Sequence, residues 1–198
     1  MIDILWIIIA YLIGSIPFSL IIGKLFTNTD IRNHGSGNLG GTNAVRVLGI
    51  KYGLPSGLLD ITKALVIVFL ASKGTIDFSY SPLYLGVAAT VGHCYLIYAN
   101  FRGGKAVSTT LGTLLWFSPL IGLSALIVGL VVILITKYVS VGSTVLGLTG
   151  LIIMIFSPNY HISILASSLL VIFIIYRHIP NYKRLLNGTE NKVNFKKN

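Results

Sequence analysis

Residues 106–136 read AVSTTLGTLLWFSPLIGLSALIVGLVVILIT, with no charged side chain among them. One helix crosses a bilayer with roughly 17 to 25 apolar residues. These 31 residues are therefore too many for one straight span. Ser118-Pro119, near the middle, is typical of a turn. The stretch predicts a short helix over 106–117 and a second helix over 120–136; a re-entrant helix pair is the alternative.

The composition of the whole chain is that of a membrane protein. Of its 198 residues, 54% are hydrophobic and 10% are charged, and the mean hydropathy is +0.85. Soluble domains carry about 25% charged residues, so these few charges argue against a soluble enzyme. The single cysteine, Cys94, excludes an internal disulfide and a cysteine-rich metal site. The length predicts one domain over 1–198, and the chain start lacks the basic region of a removable signal peptide.

Five further apolar runs complete an all-α polytopic membrane bundle of seven predicted transmembrane helices. They cover 4–23, 54–72, 81–99, 141–156 and 162–176. Cytoplasmic loops of membrane proteins are rich in Lys and Arg. With the N-terminus outside and the C-terminus cytoplasmic, all of the 15 basic residues except Lys73 fall on the cytoplasmic side. Merging 106–136 into one span would abolish this bias.

The first polar motif is HGSGNLGGTN over 34–43, followed by Arg46. Its glycines let backbone N–H groups converge on an anion, and its two hydroxyls and two amides add donors. A flexible linker is the plainer interpretation, but linkers rarely carry Asn, Thr and Arg this close together. No Gly-Lys-Ser/Thr follows, so it is not a Walker A loop. The motif predicts an anion-binding loop.

The second motif is GHCYLIYANFRGGK over 92–105, directly before a predicted helix. Backbone amides, the helix N-terminus and the cations Arg102 and Lys105 would face one anion there. A basic membrane anchor with a tight turn is the alternative. The pair Gly103-Gly104 favours binding, because an anchor needs no close backbone approach.

The third motif is RHIPNYKRLLNGTE over 177–190. His178, Asn181 and Arg184 recur every three residues, so a helix would bring them near one face. The basic residues beyond the motif are interpreted as a tail that touches anionic lipid, and 190–198 as loose. The lysines of this tail are Lys192, Lys196 and Lys197.

Two smaller pairs lie near the same predicted face. Ser140 and Ser143, at the end of a span, are either helix caps or ligand groups. Asp60 and Lys63 stand three residues apart on a predicted helix, and this spacing indicates a structural ion pair.

Several catalytic devices are absent from the sequence. No histidine has an aspartate five residues beyond it, no paired carboxylates suit glycosidase chemistry, and no HExxH or Gly-x-Ser-x-Gly occurs. The net charge of +10 admits nucleic acid, anionic lipid or an anionic substrate as partners. Many anion donors and few acids on one face favour a phosphate ligand, in a reaction that relies on positioning and electrostatic stabilisation.

The three motifs, in this order, resemble those of the PlsY family of bacterial acyl-phosphate:glycerol-3-phosphate acyltransferases. The resemblance rests on 36–43 with Arg46, on 92–105, and on 177–190; Asp60 with Lys63 and residues 138–143 fit as well. The family usually carries proline where Leu96 stands and glycine where Ala64 and Ala106 stand. The seven-span arrangement with cytoplasmic motifs is also similar to the family's.

The resemblance implies an activity. A fatty acyl group would pass from acyl phosphate to the 1-hydroxyl of sn-glycerol 3-phosphate, giving lysophosphatidic acid and phosphate at the cytoplasmic face of a bacterial plasma membrane. It implies no metal, no cofactor and no CoA or acyl carrier protein as direct donor. The expected partners are the two substrates and the lipid bilayer, with no nucleic acid and no obligate protein partner.

The resemblance also implies roles for particular residues. Ser36, Lys105, His178 and Asn181 would be catalytic, and either His178 or a substrate phosphate would take the hydroxyl proton. Apolar spans beside the site would hold the acyl chain. The residues expected to bind substrate are Asn38, Gly40, Thr42, Asn43, Arg46, His93, Gly103, Gly104, Ser143, Arg184 and Glu190.

Two other classes of protein share some of these sequence features. An organic-phosphate transporter would also use a basic vestibule, but it calls for polar groups at mid-membrane and a matching outer vestibule. A lipid-binding scaffold would explain the basic tail but not the glycine-rich motifs. Polar chemistry confined to one face therefore favours an enzyme.

Overall fold

The computed structural model describes residues 1–193 and is all-helical over that range. Short 3-10 turns cover Ile31–Asn33, Ile97–Ala99 and Pro158–Ser163. The α-helices are α1 (Ile2–Gly14), α2 (Phe18–Thr27), α3 (Gly41–Ser72), α4 (Leu83–Cys94), α5 (Val107–Phe117), α6 (Pro119–Thr136), α7 (Val139–Ile155) and α8 (Ile164–Leu186).

Four helical stretches within 1–193 are long and apolar enough to cross a membrane. They are Ile2–Thr27, Gly41–Ser72, Pro119–Thr136 and Pro158–Leu186. Three apolar stretches are shorter: Leu83–Ala99, Val107–Phe117 and Val139–Ile155. The chain is therefore built as a multi-pass membrane protein.

The predicted turn at Ser118-Pro119 is confirmed. Ser118 is extended, with φ −151° and ψ 108°, and it ends α5, while Pro119 opens α6. Proline suits this first helical position because its missing N–H would have no partner there. The 31-residue apolar stretch thus forms two helices.

The first span, predicted over 4–23, lies within the apolar stretch Ile2–Thr27, which the structure divides into α1 and α2. The chain breaks between α1 and α2, where Pro17 has φ −90° and ψ 71°. Proline lacks an N–H and disfavours helical backbone in the residue before it, which here is Ile16. The Ile16 carbonyl accepts a hydrogen bond from Lys63 Nζ at 3.0 Å. The break therefore links the first span to α3.

The second span begins earlier than predicted. Helix α3 starts at Gly41, inside the first motif, and not near 54. It kinks at Gly49, where φ is +75° and ψ is 173°. A positive φ of this kind is readily adopted only by glycine. The kink leaves Thr42, Asn43 and Arg46 on a short helical segment of their own.

The third and seventh spans also differ from prediction at their motif-bearing ends. Helix α4 ends at Cys94, and a 3-10 turn replaces the helix predicted to continue to 99. Helix α8 passes the predicted end at 176 and runs to Leu186, with Pro180 inside it. The third motif is consequently helical as far as Leu186, and this includes the three residues whose spacing predicts it.

The helices pack closely through small residues. A Cβ added at Gly112 of α5 would collide with the Ile61 carbonyl of α3, and one at Gly86 of α4 with Thr113 of α5. Close backbone approach of this kind drives helix association where lipid is as apolar as the side chains. The packing brings one end of α3, α5, α6, α7 and α8 around a common space.

The structure describes only residues 190–193 of the tail that is predicted to be loose. Residues 190–193 are tied down, since Glu190 accepts three hydrogen bonds and the Val193 N–H donates to the Lys137 carbonyl at 2.8 Å. These contacts hold Glu190 and Val193 against the bundle, and the looseness of the tail as a whole stays a prediction. The rest of the tail, with Lys196 and Lys197, lies outside the described residues.

Candidate active site

A cavity of about 1150 Å³ lies between the motif-bearing ends of the helices. It receives side chains from all three motifs and from α7. Of the expected site residues, Gly103 and Gly104 are not in its lining. Those that line it are Ser36, Asn38, Gly40, Thr42, Asn43, Arg46, His93, Lys105, Ser143, His178, Asn181, Arg184 and Glu190.

Two amides hold the first motif in shape. Asn43 Oδ1 accepts from the Ser36 N–H at 2.9 Å, and its Nδ2 donates to the carbonyls of His34 and Asn38. Asn38 Oδ1 accepts from the Gly40 N–H, and its Nδ2 donates to the Gly103 carbonyl, both at 2.8 Å. Both side chains line the cavity, and their hydrogen bonds fix the loop. Substrate binding by these two residues stays a prediction.

Other polar groups in the cavity have no protein partner. The hydroxyls of Ser36, Thr42 and Ser143, and the Arg46 guanidinium, line the cavity without a hydrogen bond or ion pair to any residue in 1–193. Ser143 is buried, while Ser36, Thr42 and Arg46 are exposed to the open part of the cavity. Donors that converge on one cavity and make no bond within the protein are available to a polar ligand, and the cation among them favours a negative one.

Helix α8 carries three residues of the site on one face. His178, Asn181 and Arg184 all line the cavity, as their spacing predicts. His178 Nδ1 lies 2.8 Å from the Ile174 carbonyl. Because a carbonyl can only accept, Nδ1 carries the proton and Nε2 is left as the acceptor. The imidazole thus presents a basic nitrogen without a partner among the described residues.

Glu190 ties three elements together. Its Oε1 accepts from Asn181 Nδ2 at 2.6 Å and from Ser140 Oγ at 3.1 Å, and its Oε2 accepts from Arg184 Nε at 2.8 Å. Burial raises the pKa of Glu190, but these hydrogen bonds outweigh burial and hold the pKa below its usual value. Glu190 was expected to bind substrate. A carboxylate engaged this way organises the site.

Lys105 is a partly buried cation that lines the cavity. Its Nζ donates to Asn181 Oδ1 at 2.7 Å. Burial, followed by the neighbouring charge of Arg184, lowers the pKa of Lys105 to about 8. Lys105 therefore remains mostly protonated at neutral pH and loses its charge as the pH rises through 8.

The glycine pair of the second motif lies against the end of α4. The Gly104 N–H donates to the His93 carbonyl at 2.8 Å, so this amide does not face an anion. A Cβ at Gly104 would overlap the His93 imidazole, and one at Gly103 would overlap the His93 carbonyl. The two glycines allow the loop before Lys105 to pack on the end of α4.

A buried ionic cluster lies behind this loop. The predicted ion pair is confirmed, with Lys63 Nζ 2.7 Å from Asp60 Oδ1. His93 Nδ1 lies 3.2 Å from Lys63 Nζ and 3.6 Å from Asp60 Oδ1. All three residues are almost fully buried. His93 was expected to bind substrate; its Nδ1 is held by this cluster while the residue borders the cavity.

Four further residues contact the site or the loop beside it. Ser108 lines the cavity, and nothing but its place three residues after Lys105 signals it in the sequence. Ser140, predicted as either a helix cap or a ligand group, donates its hydroxyl to Glu190. Lys192, assigned to lipid contact, lines the cavity with Nζ 5.6 Å from the centre of the Tyr138 ring. Arg177 donates to the carbonyls of Gly103 and Gly104.

Ala106 takes a backbone conformation that favours glycine. Its φ is +69° and its ψ is −13°, in the left-handed region, and it is fully buried. An L-residue in this region costs roughly 1–2 kcal/mol relative to right-handed backbone. Glycine would adopt this conformation without that cost.

The rest of the cavity is apolar. Leu126, Leu130 and Ile133 line it from one face of α6, and Leu111 and Leu146 line it from α5 and α7. The spacing on α6 is that of a single helical stripe. The cavity is thus amphiphilic, with cations and hydroxyls at one end and an apolar wall beyond.

We predict that Gly104→Ala lowers kcat/KM at least about tenfold, because the new methyl group displaces the loop or His93 and shifts Lys105. Initial rates of the purified variant test this. Gly74→Ala is the matched control, since nothing lies within 4 Å of its added Cβ. Gly74 has φ +70°, so alanine at this position strains the backbone, but the strain lies away from the site. Equal rates for Gly104→Ala and wild type would contradict the packing role.

The sequence is similar to a known family along nearly its whole length. A family model described as "Glycerol-3-phosphate acyltransferase" matches residues 4–188. A glycerol-3-phosphate acyltransferase of Acholeplasma laidlawii is 46% identical, over 98% of this chain and 96% of the relative. One from Bacillus cereus (strain G9842) is 45% identical, over 96% of this chain and 94% of the relative.

Solved structures agree with the sequence match. The crystal structure of PlsY, an integral membrane glycerol 3-phosphate acyltransferase, in its glycerol 3-phosphate form superposes with a TM-score of 0.91. It is 35% identical and covers 97% of this chain and 96% of that one. The lysophosphatidic acid form gives 0.89 at 34% identity, covering 97% and 95%. The chain therefore belongs to the glycerol-3-phosphate acyltransferase family.

Proposed function

We propose that this chain transfers a fatty acyl group from acyl phosphate to the 1-hydroxyl of sn-glycerol 3-phosphate. The products are lysophosphatidic acid and inorganic phosphate. The observation that carries the proposal is the amphiphilic cavity, where unpartnered donors and cations meet an apolar wall. The related structures hold glycerol 3-phosphate and lysophosphatidic acid, which are an anionic substrate and an amphiphilic product of this kind.

The cations bind and orient the phosphates. Arg46, Lys105 and Arg184 line the same end of the cavity. Hydrogen bonds between such cations and phosphate oxygens are roughly twice as strong as neutral ones. Ser36, Thr42 and Ser143 add hydroxyl donors from two further directions. Asn181 and Glu190 act indirectly, because they fix Lys105 and Arg184 in place.

The chemical step needs a proton acceptor and stabilisation of charge. The 1-hydroxyl oxygen attacks the acyl carbonyl carbon, a C–O bond forms, and the bond from that carbon to the phosphate oxygen breaks. His178 Nε2 accepts the hydroxyl proton and returns it to the leaving phosphate, so no net proton is gained. Lys105 and Arg46 stabilise the negative charge that develops on the oxygens.

The acyl chain lies along the apolar stripe of α6. Leu126, Leu130 and Ile133 line this part of the cavity. Their apolar side chains suit an acyl chain, which enters from the bilayer. The polar acceptor comes from water at the other end.

The arrangement in the membrane is part of the proposal. Residues 1–198 form a single domain with seven spans in a bacterial plasma membrane, the N-terminus outside and the cavity facing the cytoplasm. The skew of Lys and Arg to one face supports this orientation. The shorter apolar stretches Leu83–Ala99, Val107–Phe117 and Val139–Ile155 supply three of these spans.

A donor comparison tests the proposed function. We expect purified protein given glycerol 3-phosphate to form lysophosphatidic acid from palmitoyl phosphate, and not from palmitoyl-CoA or palmitoyl carrier protein. Product is measured by mass spectrometry, with Lys105→Gln protein as the matched blank. Product from CoA alone, or from none of the three donors, would overturn the proposal.

A further inference from the structure

Arg177 faces a different direction from the site residues that follow it on α8. It does not line the cavity, although His178 is its neighbour. Its Nε donates to the Gly104 carbonyl at 3.1 Å, and its Nη2 donates to the Gly103 carbonyl at 3.3 Å. Its guanidinium also lies 5.3 Å from the centre of the Tyr95 ring. Arg177 thus grips the backbone immediately before Lys105.

One turn of α8 contacts both the backbone that precedes Lys105 and the end of the Lys105 side chain. Arg177 binds the two carbonyls that precede Lys105, and Asn181, four residues along the helix, accepts from Lys105 Nζ. Asn38 also donates to the Gly103 carbonyl, and the Gly104 N–H donates to the His93 carbonyl. Earlier in the loop, the N–H groups of Phe101 and Arg102 donate to the carbonyls of Leu96 and Ala99. The loop carries little regular structure of its own between Asn100 and Ala106.

We propose that Arg177 is a positioning residue that sets Lys105 relative to His178 through the carbonyls of Gly103 and Gly104. The inference rests on the proposed function of Lys105 as a phosphate-binding cation. A planar guanidinium can donate to two carbonyls at once in a fixed geometry, which a lysine ammonium on a flexible stem does poorly. The proposal therefore distinguishes arginine from lysine at this position.

The charge of Arg177 gives a second, independent readout. Lys105 is faced by Arg177, His178 and Arg184 from α8, by Arg46 from α3 and by Glu190 from the tail. After burial and the larger effect of Arg184, the charge of Arg177 also lowers the pKa of Lys105. Removing that charge moves the alkaline loss of activity to higher pH. Keeping the charge as lysine leaves it where it is.

The experiment compares Arg177→Gln, Arg177→Lys and the control Lys183→Gln in purified, monodisperse protein. Lys183 is exposed on the same helix, so its variant removes one charge without touching the loop. We measure kcat/KM from pH 6 to 10 and glycerol 3-phosphate binding by calorimetry. We expect kcat/KM to fall about 10- to 100-fold in both Arg177 variants, as a small misplacement of a binding group does.

The pattern across variants decides the outcome. The alkaline fall of kcat/KM should move to higher pH only in Arg177→Gln. Lys183→Gln should match wild type both in its pH profile and in glycerol 3-phosphate binding. Binding should weaken in both Arg177 variants, which tests the inference even if wild type proves inactive with acyl phosphate. Full kcat/KM and binding in Arg177→Lys would overturn the positioning role. If the wild-type protein binds glycerol 3-phosphate but forms no product from acyl phosphate, that result counts against the proposed function instead.

Discussion

Lys105→Gln is expected to lower kcat/KM about a thousandfold, near the upper end of what loss of one preorganised donor costs. The ammonium is held in place before substrate arrives, since Nζ already donates to Asn181 at 2.7 Å and the loop backbone is held by Arg177. No reorganisation is then needed when a phosphate binds. Glutamine keeps most of the side-chain volume but carries no charge.

The pH dependence identifies the charge as the cause. The pKa of Lys105 is lowered to about 8, so the protonated, binding-competent form is lost as the pH rises through that value. Wild-type kcat/KM should therefore fall above pH 8, and the residual activity of Lys105→Gln should show no such fall. Lys183→Gln is the matched control. A Lys105→Gln enzyme within about threefold of wild type would contradict the phosphate-binding role.

Much of the fold is predictable from the sequence because hydropathy and proline act locally. The Ser118-Pro119 turn follows directly from residues 118–119 and the length of the apolar run. The end of α8 cannot be predicted in this way, because the run of apolar residues stops at Arg177 while the helix continues to Leu186. The early start of α3 also left no hydropathy signal, since its first turns are polar and glycine-rich.

The site is predictable in its residue types but not in the division of roles. Asn38, Asn43 and Glu190 have the same donor and acceptor groups as ligand-binding residues, and only their distant partners show that they fix the site. Asn38 bonds to a carbonyl 65 positions away and Lys105 to an amide 76 positions away. Local sequence patterns carry no information on such pairings.

The buried cluster behind the site illustrates the same limit. The spacing of Asp60 and Lys63 predicts their ion pair, but not that His93 joins it or that Lys63 also binds the Ile16 carbonyl. Buried charges in a membrane protein are costly and mark functional regions. Here the cluster connects the break between α1 and α2 with the end of α4, against which the Lys105 loop packs.

His178→Gln is expected to lower kcat about 10² to 10⁴-fold, the usual loss when a general base is removed, with KM for both substrates little changed. The hydrogen bond from Nδ1 to Ile174 leaves Nε2 as a basic nitrogen in the cavity. The glutamine side chain can place an amide oxygen near the position of Nε2. It can accept a hydrogen bond there, but it cannot take a proton at neutral pH.

His178→Asn completes the comparison, because its amide keeps a donor near the position of Nδ1 and has nothing at Nε2. If proton transfer is the role of His178, both variants lose turnover to a similar extent at every pH between 6 and 9. If His178 only orients the hydroxyl, the glutamine retains near-normal turnover while the asparagine does not. In that case a phosphate oxygen of the bound substrate takes the proton, and the unpartnered Nε2 is an acceptor for alignment rather than a base.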